Sequence, residues 1–329
     1  MKIISFLFTI LFLASCQNGK KDYQTVEEQN TIASTFDPLE AKKLMETHCY
    51  LCHSPTADEN QGRIAPPMVA IKAHYIDKSK FSKEEFIAEM KSFVENPSEE
   101  KVHLKGAFKR FGLMPKQTFP DGSIEKIAAF MYDYQIEEPT WFKAHWEGHG
   151  NENWTQSGKK LEEVDEIKTY ADIGLDYALG TKKVLGKNLM EAIQQKGTIE
   201  ALTFCNHQAI PLTDSMATHF KATIKRVSDK YRNPNNKANA EELNYIAQFK
   251  KELAEKKESK PIALEKGDKI QFYYPIETNT MCLQCHGKQI KPEVQRQILK
   301  LYPKDLAIGY DESEVRGIWS ITFTKKSNE

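Results

Sequence analysis

The chain has 329 residues, and its 46 basic and 46 acidic side chains cancel to a formal net charge of zero. With no extended basic tract, that balance excludes a nucleic-acid binder working by phosphate neutralisation. Hydrophobic residues make up 40% of the chain, enough for buried cores, and the length suits two domains of ordinary size.

Lys2 precedes an apolar run from Ile3 to Leu13, followed by Leu13-Ala14-Ser15-Cys16. A bilayer span needs about 20 apolar residues, so this run reads as a secretory signal rather than a spanning helix. Its last four residues resemble the lipobox of bacterial lipoproteins. That resemblance implies an exported protein, lipidated at Cys16 and anchored to a bacterial membrane, facing the periplasm or the cell exterior. The alternative is an ordinary signal peptide with an incidental cysteine. Residues 1–16 are thus expected to be the signal and lipobox. Residues 17–36, polar and charged, read as a flexible tether.

Residues 37–138 read as a small all-α unit. Asp37 is an N-cap candidate, with Pro38 at the first helical position and Glu40 completing a capping-box-like start. A second helix starts at Ser82 with Glu85 three residues on, carries Phe86, Ile87, Met90, Phe93 and Val94, and stops at Asn96-Pro97. A third begins at 121–123 and carries Ile124, Ile127, Ala128, Phe130, Met131 and Tyr134. Residues 139–160 read as a linker, with Trp141, Phe142, Trp146 and Trp154 packing it onto one domain. Residues 161–329 are mixed. Helical spacing from Ile167 through Ala178 and from Val184 to Ile193 gives way to a strand at 223–228. A helix over 240–257 follows, capped by Asn239 and buried through Leu243, Ile246, Phe249 and Leu253. Alternating segments at Ile270–Tyr274 and Ile318–Phe323 complete it. Helices followed by strands that pair antiparallel give an α+β domain. The expected fold is therefore multidomain, all-α followed by α+β.

Six cysteines are present, and four of them form Cys49-Tyr-Leu-Cys52-His53 and Cys282-Leu-Gln-Cys285-His286. Cys-x-x-Cys-His is the attachment signature of c-type haem. Two thiols must reach the two vinyl groups of one porphyrin, and the adjacent imidazole must then meet the iron. The expected cofactors are two covalently bound c-type haems, with His53 and His286 as proximal ligands. A four-cysteine zinc site is disfavoured, because each pair is followed at once by His and the pairs lie far apart in different kinds of domain.

In the first unit, Met114 lies in Gly112-Leu113-Met114-Pro115-Lys116, on a loop between the second and third helices. Haem motif, Met-Pro loop and closing helix in that order resemble a class I cytochrome c. The resemblance implies Met114 as distal ligand and places Ala65-Pro66-Pro67 where a proline carbonyl orients the haem histidine. Met68 and His103 are the rival ligands, and a core methionine is the other reading of Met114.

Residues 160–329 resemble a family of exported c-type haem domains with a PAS-like fold, some with a cysteine thiolate opposite the haem histidine. The likeness rests on Gly186-Lys187-Asn188-Leu189, the segment around Cys205, Tyr231-Arg232-Asn233-Pro234-Asn235, Tyr274-Pro275-Ile276 and Cys285-His286-Gly287. It continues through Tyr302-Pro303-Lys304-Asp305, Ala307-Ile308-Gly309-Tyr310 and Arg316-Gly317-Ile318-Trp319-Ser320. It implies Cys282 and Cys285 as attachments, His286 as proximal and Cys205 as distal ligand. Cys205 is also the one cysteine with neither a lipid nor a haem role. His207 competes with it, as does an open iron. Electron transfer by a dihaem carrier, rather than an enzyme, is the expected function. The competing readings are a haem-based redox or gas sensor and, third, a dihaem peroxidase-like enzyme, for which no acid/base constellation is visible.

Overall fold

The computed structural model describes residues 36–325, apart from 61–62, 118, 152, 163–167 and 256. Cys16 and the signal, the tether up to Thr35 and the expected helix start at Ile167 lie outside the described residues. From Phe36 onward the chain forms one compact unit.

The first helix, α1, runs Pro38–His48, with Asp37 accepting a hydrogen bond from the Leu39 amide. Glu40 does not complete the expected box; it reaches the Lys126 ammonium at 2.7 Å. A short α2 (Met68–Lys72) and a π turn over Ala73–Lys78 follow. Next comes α3 (Lys83–Glu95), where Ser82 and Glu85 form a true capping box. After it come α4 (Lys105–Phe111), α5 (Ser123–Asp133) and α6 (Phe142–Gly148). Both α1 and α3 pack on α5, burying Ala41, Met45, Phe86, Ile127, Ala128 and Met131 completely.

The stretch expected as a linker joins this same core through Phe142, Trp146 and Trp154. A buried lysine fastens it. Lys72 donates to the carbonyls of Tyr134 (2.5 Å) and Ser157 (2.7 Å). Burial lowers its pKa to about 8 against the opposing pull of Asp77 and Asp133. A lysine inside an apolar core is expensive unless its donors are met, and here two carbonyls meet two of its three.

The helical spacing expected up to Ile193 belongs to one long element, α7 (Tyr170–Phe220), which runs on beyond it and is broken at Gly197, whose backbone (φ 81°, ψ 173°) suits glycine. β1 (Ala222–Val227), α8 (Ala240–Ala254), β2 (Ile262–Lys266), β3 (Lys269–Glu277), α9 (Leu283–His286), α10 (Pro292–Leu301) and β4 (Val315–Thr324) complete the chain. The four strands form an antiparallel sheet in the order β1-β4-β3-β2.

Strand β4 is buried on both faces because helices cover both. Trp319, Ile321 and Phe323 share a core with Ile173, Leu175 and Ala178 of α7. Ile318 and Val315 share one with Ile246 and Phe249 of α8. Helix and sheet approach so closely that a Cβ on Gly174 would lie 2.2 Å from the ring of Phe272. Leu243, expected in the core, is 41% exposed, so α8 buries a narrower stripe than its sequence suggested. Among the described residues no helix is long and apolar enough to cross a membrane.

Candidate functional site

The two Cys-x-x-Cys-His segments fold alike although their flanks differ. In the first, the amides of Cys52 and His53 bond back to the Cys49 carbonyl at 3.1 and 2.9 Å. In the second, those of Cys285 and His286 bond back to Cys282 at 3.2 and 2.9 Å. This one-turn geometry gathers two thiols and an imidazole within each segment. The imidazoles are also oriented alike. His53 Nδ1 lies 2.6 Å from the Pro66 carbonyl, and His286 Nδ1 lies 2.7 Å from that of Ala307. A carbonyl only accepts, so each Nδ1 carries the proton and each Nε2 keeps its lone pair.

Arg316 Nε also stands 3.3 Å from His286 Nδ1. A protonated Nδ1 cannot accept, so this is a close contact and the shorter bond to Ala307 fixes the tautomer. Burial pushes both imidazoles below the ordinary histidine pKa. Near His286 the charges of Arg232 and Arg316 add to this, and each carbonyl bond opposes it. Both rings are thus held neutral, the form that binds metals, with a backbone partner setting the ring angle.

The first segment opens onto a cavity of about 350 Å³, a size at the low end of ligand pockets. Cys49, Cys52, His53 and Met114 all line it, and so do the rivals Met68 and His103. Met68 is buried at 2% exposure, whereas Met114 sits at the edge of the first core on its loop. Burial raises the Cys49 thiol pKa to about 12, with Cys52 adding to it.

His48, next to Cys49, stands on the wall of this cavity and of a smaller one of about 90 Å³. Burial, with Lys182 adding, drives its pKa from 6.5 to about 4. The folded protein therefore takes up this proton later than the unfolded chain. Stability is expected to be full above pH 6.5 and to fall as pH drops toward 4, at up to about 1.4 kcal/mol per pH unit. Denaturant midpoints measured across this window should show that slope, and His48→Gln should flatten it. An unchanged slope in the variant would refute the assignment.

In the second half, the break at Gly197 re-aims the C-terminal run of α7 onto α10. There Leu202 packs with Val294 and Ile298, and Cys285 lies against the same cluster. Thr198 reaches Gln284 at 2.8 Å, and Gln297 reaches Thr203 at 3.2 Å. Cys205 is thereby carried to the second segment, close enough for its charge to act on Cys285. Burial lifts the Cys285 thiol to about 11, Arg232 pulls it down and Cys205 pushes it up. The rival His207 is exposed. Residues two apart on a helix point about 200° apart, so the face that presents Cys205 turns His207 away.

Three arginines stand around this site: Arg232 and Arg316 were quoted within motifs without a role, and Arg226 escaped the sequence reading. Arg232 pairs with Asp305 at 3.1 Å and donates to the Cys285 carbonyl at 2.6 Å. Arg226 and Arg316 have no carboxylate of a described residue within ion-pair distance, and burial lowers the pKa of both. The signal was available: Arg226 is a charged residue within the alternating strand β1, where an inward charge calls for a partner. The Ala307 carbonyl was not foreseen, since a backbone acceptor leaves no trace in sequence.

Residues 155–324 match the model of the Tll0287-like family. The match spans more than half of the chain, and the chain belongs to that family. Among solved structures it is similar to the crystal structure of the cyanobacterial heme-protein Tll0287, at 20% identity over 44% of this chain and 97% of that one, with a TM-score of 0.30. None of the curated proteins matches.

Proposed function

We propose that the chain is an exported dihaem c-type cytochrome that transfers electrons. One observation carries the reading: two separate Cys-x-x-Cys-His turns, each with its histidine proton committed to a backbone carbonyl and its Nε2 free. Membership of the Tll0287-like family, whose namesake is described as a heme-protein, supports it.

The residues fit the group. Cys49 and Cys52, and Cys282 and Cys285, would hold the two porphyrins by thioether bonds, and His53 and His286 would ligate the irons. At the first site the apolar cavity would exclude water, and Met114 would close the distal face. At the second, Cys205 would do so. Arg226 and Arg316, lacking carboxylate partners among the described residues, suit the propionates of a bound haem or the Cys205 thiolate.

Haem supplies a one-electron couple whose potential the axial ligand sets. A thioether at Met114 raises that potential, and an anionic sulfur at Cys205 lowers it. The C-terminal site is then the internal donor and the N-terminal site the acceptor. Haem counting on denatured, matured protein tests the reading: two per chain are expected, and one or none overturns it.

Cys16 would anchor the protein at the membrane. A lipoprotein N-terminus carries more than one acyl chain, and a single chain binds only marginally. Cys16→Ala is expected to shift the protein to the soluble fraction or to block signal processing. Normal processing with full membrane retention would point to a different anchor.

A further inference from the structure

We propose that the first haem pocket is built by both halves of the chain, and that Met281, the residue before Cys282, is the contact joining the second attachment segment to the first haem. This rests on the dihaem reading above.

The wall of the 350 Å³ cavity is not made by the N-terminal helices alone. Met190 and Gln194 of α7 line it, and so does Met281. A stripe of α7 makes this possible. Lys183, Gly186, Met190 and Gln194 are spaced three, four and four residues apart, which puts them on one helical face. That face lies on the first attachment segment. A Cβ on Gly186 would stand 2.6 Å from Cδ1 of Leu51, the residue between the two cysteines of the first motif. Lys183 Nζ donates to Thr56 Oγ1 at 2.9 Å, just beyond His53.

A separate contact comes from the second segment. Thr280 Oγ1 lies 2.5 Å from the Lys116 carbonyl, two residues past Met114, and 2.6 Å from the Glu312 carboxylate, and its single proton serves one or the other. The distal loop of the first site and the residues leading into the second motif are therefore in contact.

Adjacent Cα atoms are about 3.8 Å apart. A porphyrin held by Cys282 thus begins one residue from a side chain that forms the wall of the first pocket.

Met281 is suited to this place. Its thioether is flexible and polarisable and fills irregular gaps between larger groups. With both haems held, Met281 would bridge them for a one-electron exchange in which the second haem is oxidised and the first reduced, with no bond made or broken and no proton moved. Met190 and Gln194 add to the same wall from α7.

The test uses the full-length matured protein. Haem is counted first: fewer than two per chain defeats the dihaem reading itself, whereas two per chain isolates the present inference. Electron paramagnetic resonance of the oxidised protein is then expected to show magnetic interaction between the two irons. That interaction should be absent from Cys282→Ser/Cys285→Ser protein, which carries only the first haem.

After pulsed reduction, Met281→Ala should slow internal electron transfer several-fold with both haems retained. Gly186→Trp, which wedges Leu51 away from α7, should slow it at least tenfold and speed ligand access to the first haem. Should Gly186→Trp fail to mature, Met281→Ala and the wild-type magnetic interaction still decide. Two haems per chain that are magnetically isolated, with an internal rate unaltered by Met281→Ala, would overturn the proposal.

Discussion

Cys205→Ser is expected to raise the midpoint potential of the C-terminal haem by on the order of a hundred millivolts, a fraction of the roughly 0.8 V that axial ligation spans. An anionic sulfur stabilises the oxidised iron, and a hydroxyl is a poor substitute. Burial opposes the thiolate of Cys205, but Arg226 and Arg232 favour it, and ligation by iron would add to their side. Attachment through Cys282 and Cys285 should survive, since it involves neither the distal face nor α7. The variant should lose the thiolate-to-iron charge-transfer band and bind carbon monoxide or cyanide at least tenfold faster. His207→Ala should alter neither property. A wild-type protein without that band, matched by a variant of equal potential, would reduce Cys205 to a packing residue of α7.

Met114→Ala is expected to act in the opposite direction on the other haem. A thioether favours the reduced iron, so its removal should lower the potential of the N-terminal haem, again by on the order of a hundred millivolts. The second haem should keep its own potential to within the influence of its neighbour's charge. Met114 stands at the edge of the first core rather than at its centre, so the helices should remain folded and both haems attached. Absorption, potential and the rate of exogenous ligand binding should all change at the first site. If none does, ligation passes to Met68 or His103, which line the same cavity. Substituting each of these in turn would decide between them.

The attachment segments were legible because their chemistry is local. Five consecutive residues hold both thiols and the imidazole, and the turn that gathers them needs only its own backbone bonds. Caps at Ser82 and Asn239 were legible for the same reason, since each reaches three residues along the chain. Three of the four strands of the second half announced themselves by alternation, whereas β2 (Ile262–Lys266) was not foreseen. Glu40 shows where such reasoning stops. Its capping role is local, but a lysine from α5 competes for it and wins. Leu243 shows the same for burial: helical spacing marks a stripe, and the width of the sheet beneath decides how much of it is covered.

The partners of the sites were the hidden part. Pro66 could be marked by its motif, whereas the equivalent acceptor for His286 is the carbonyl of Ala307, a group that every residue possesses. Arg226 and Arg316 reach the second site only because β1 and β4 are paired in register. The stripe of α7 from Lys183 to Gln194 has no apolar pattern to advertise it. It is a lysine, a glycine, a methionine and a glutamine, brought to the first segment by the path of the whole helix.

What the sequence by itself determined was chemistry held within a few residues: the two attachment turns, the helix caps, the strand alternation and the balance of charge. Only the tertiary structure decided which distant groups meet. It set Met114, His53 and Met281 on the wall of one cavity and, past the break at Gly197, laid the run of α7 that carries Cys205 on the cluster beside Cys285. The physical reason is that hydrogen-bonded turns are specified over three or four residues, whereas packing is set by whole surfaces whose members are spread along the chain.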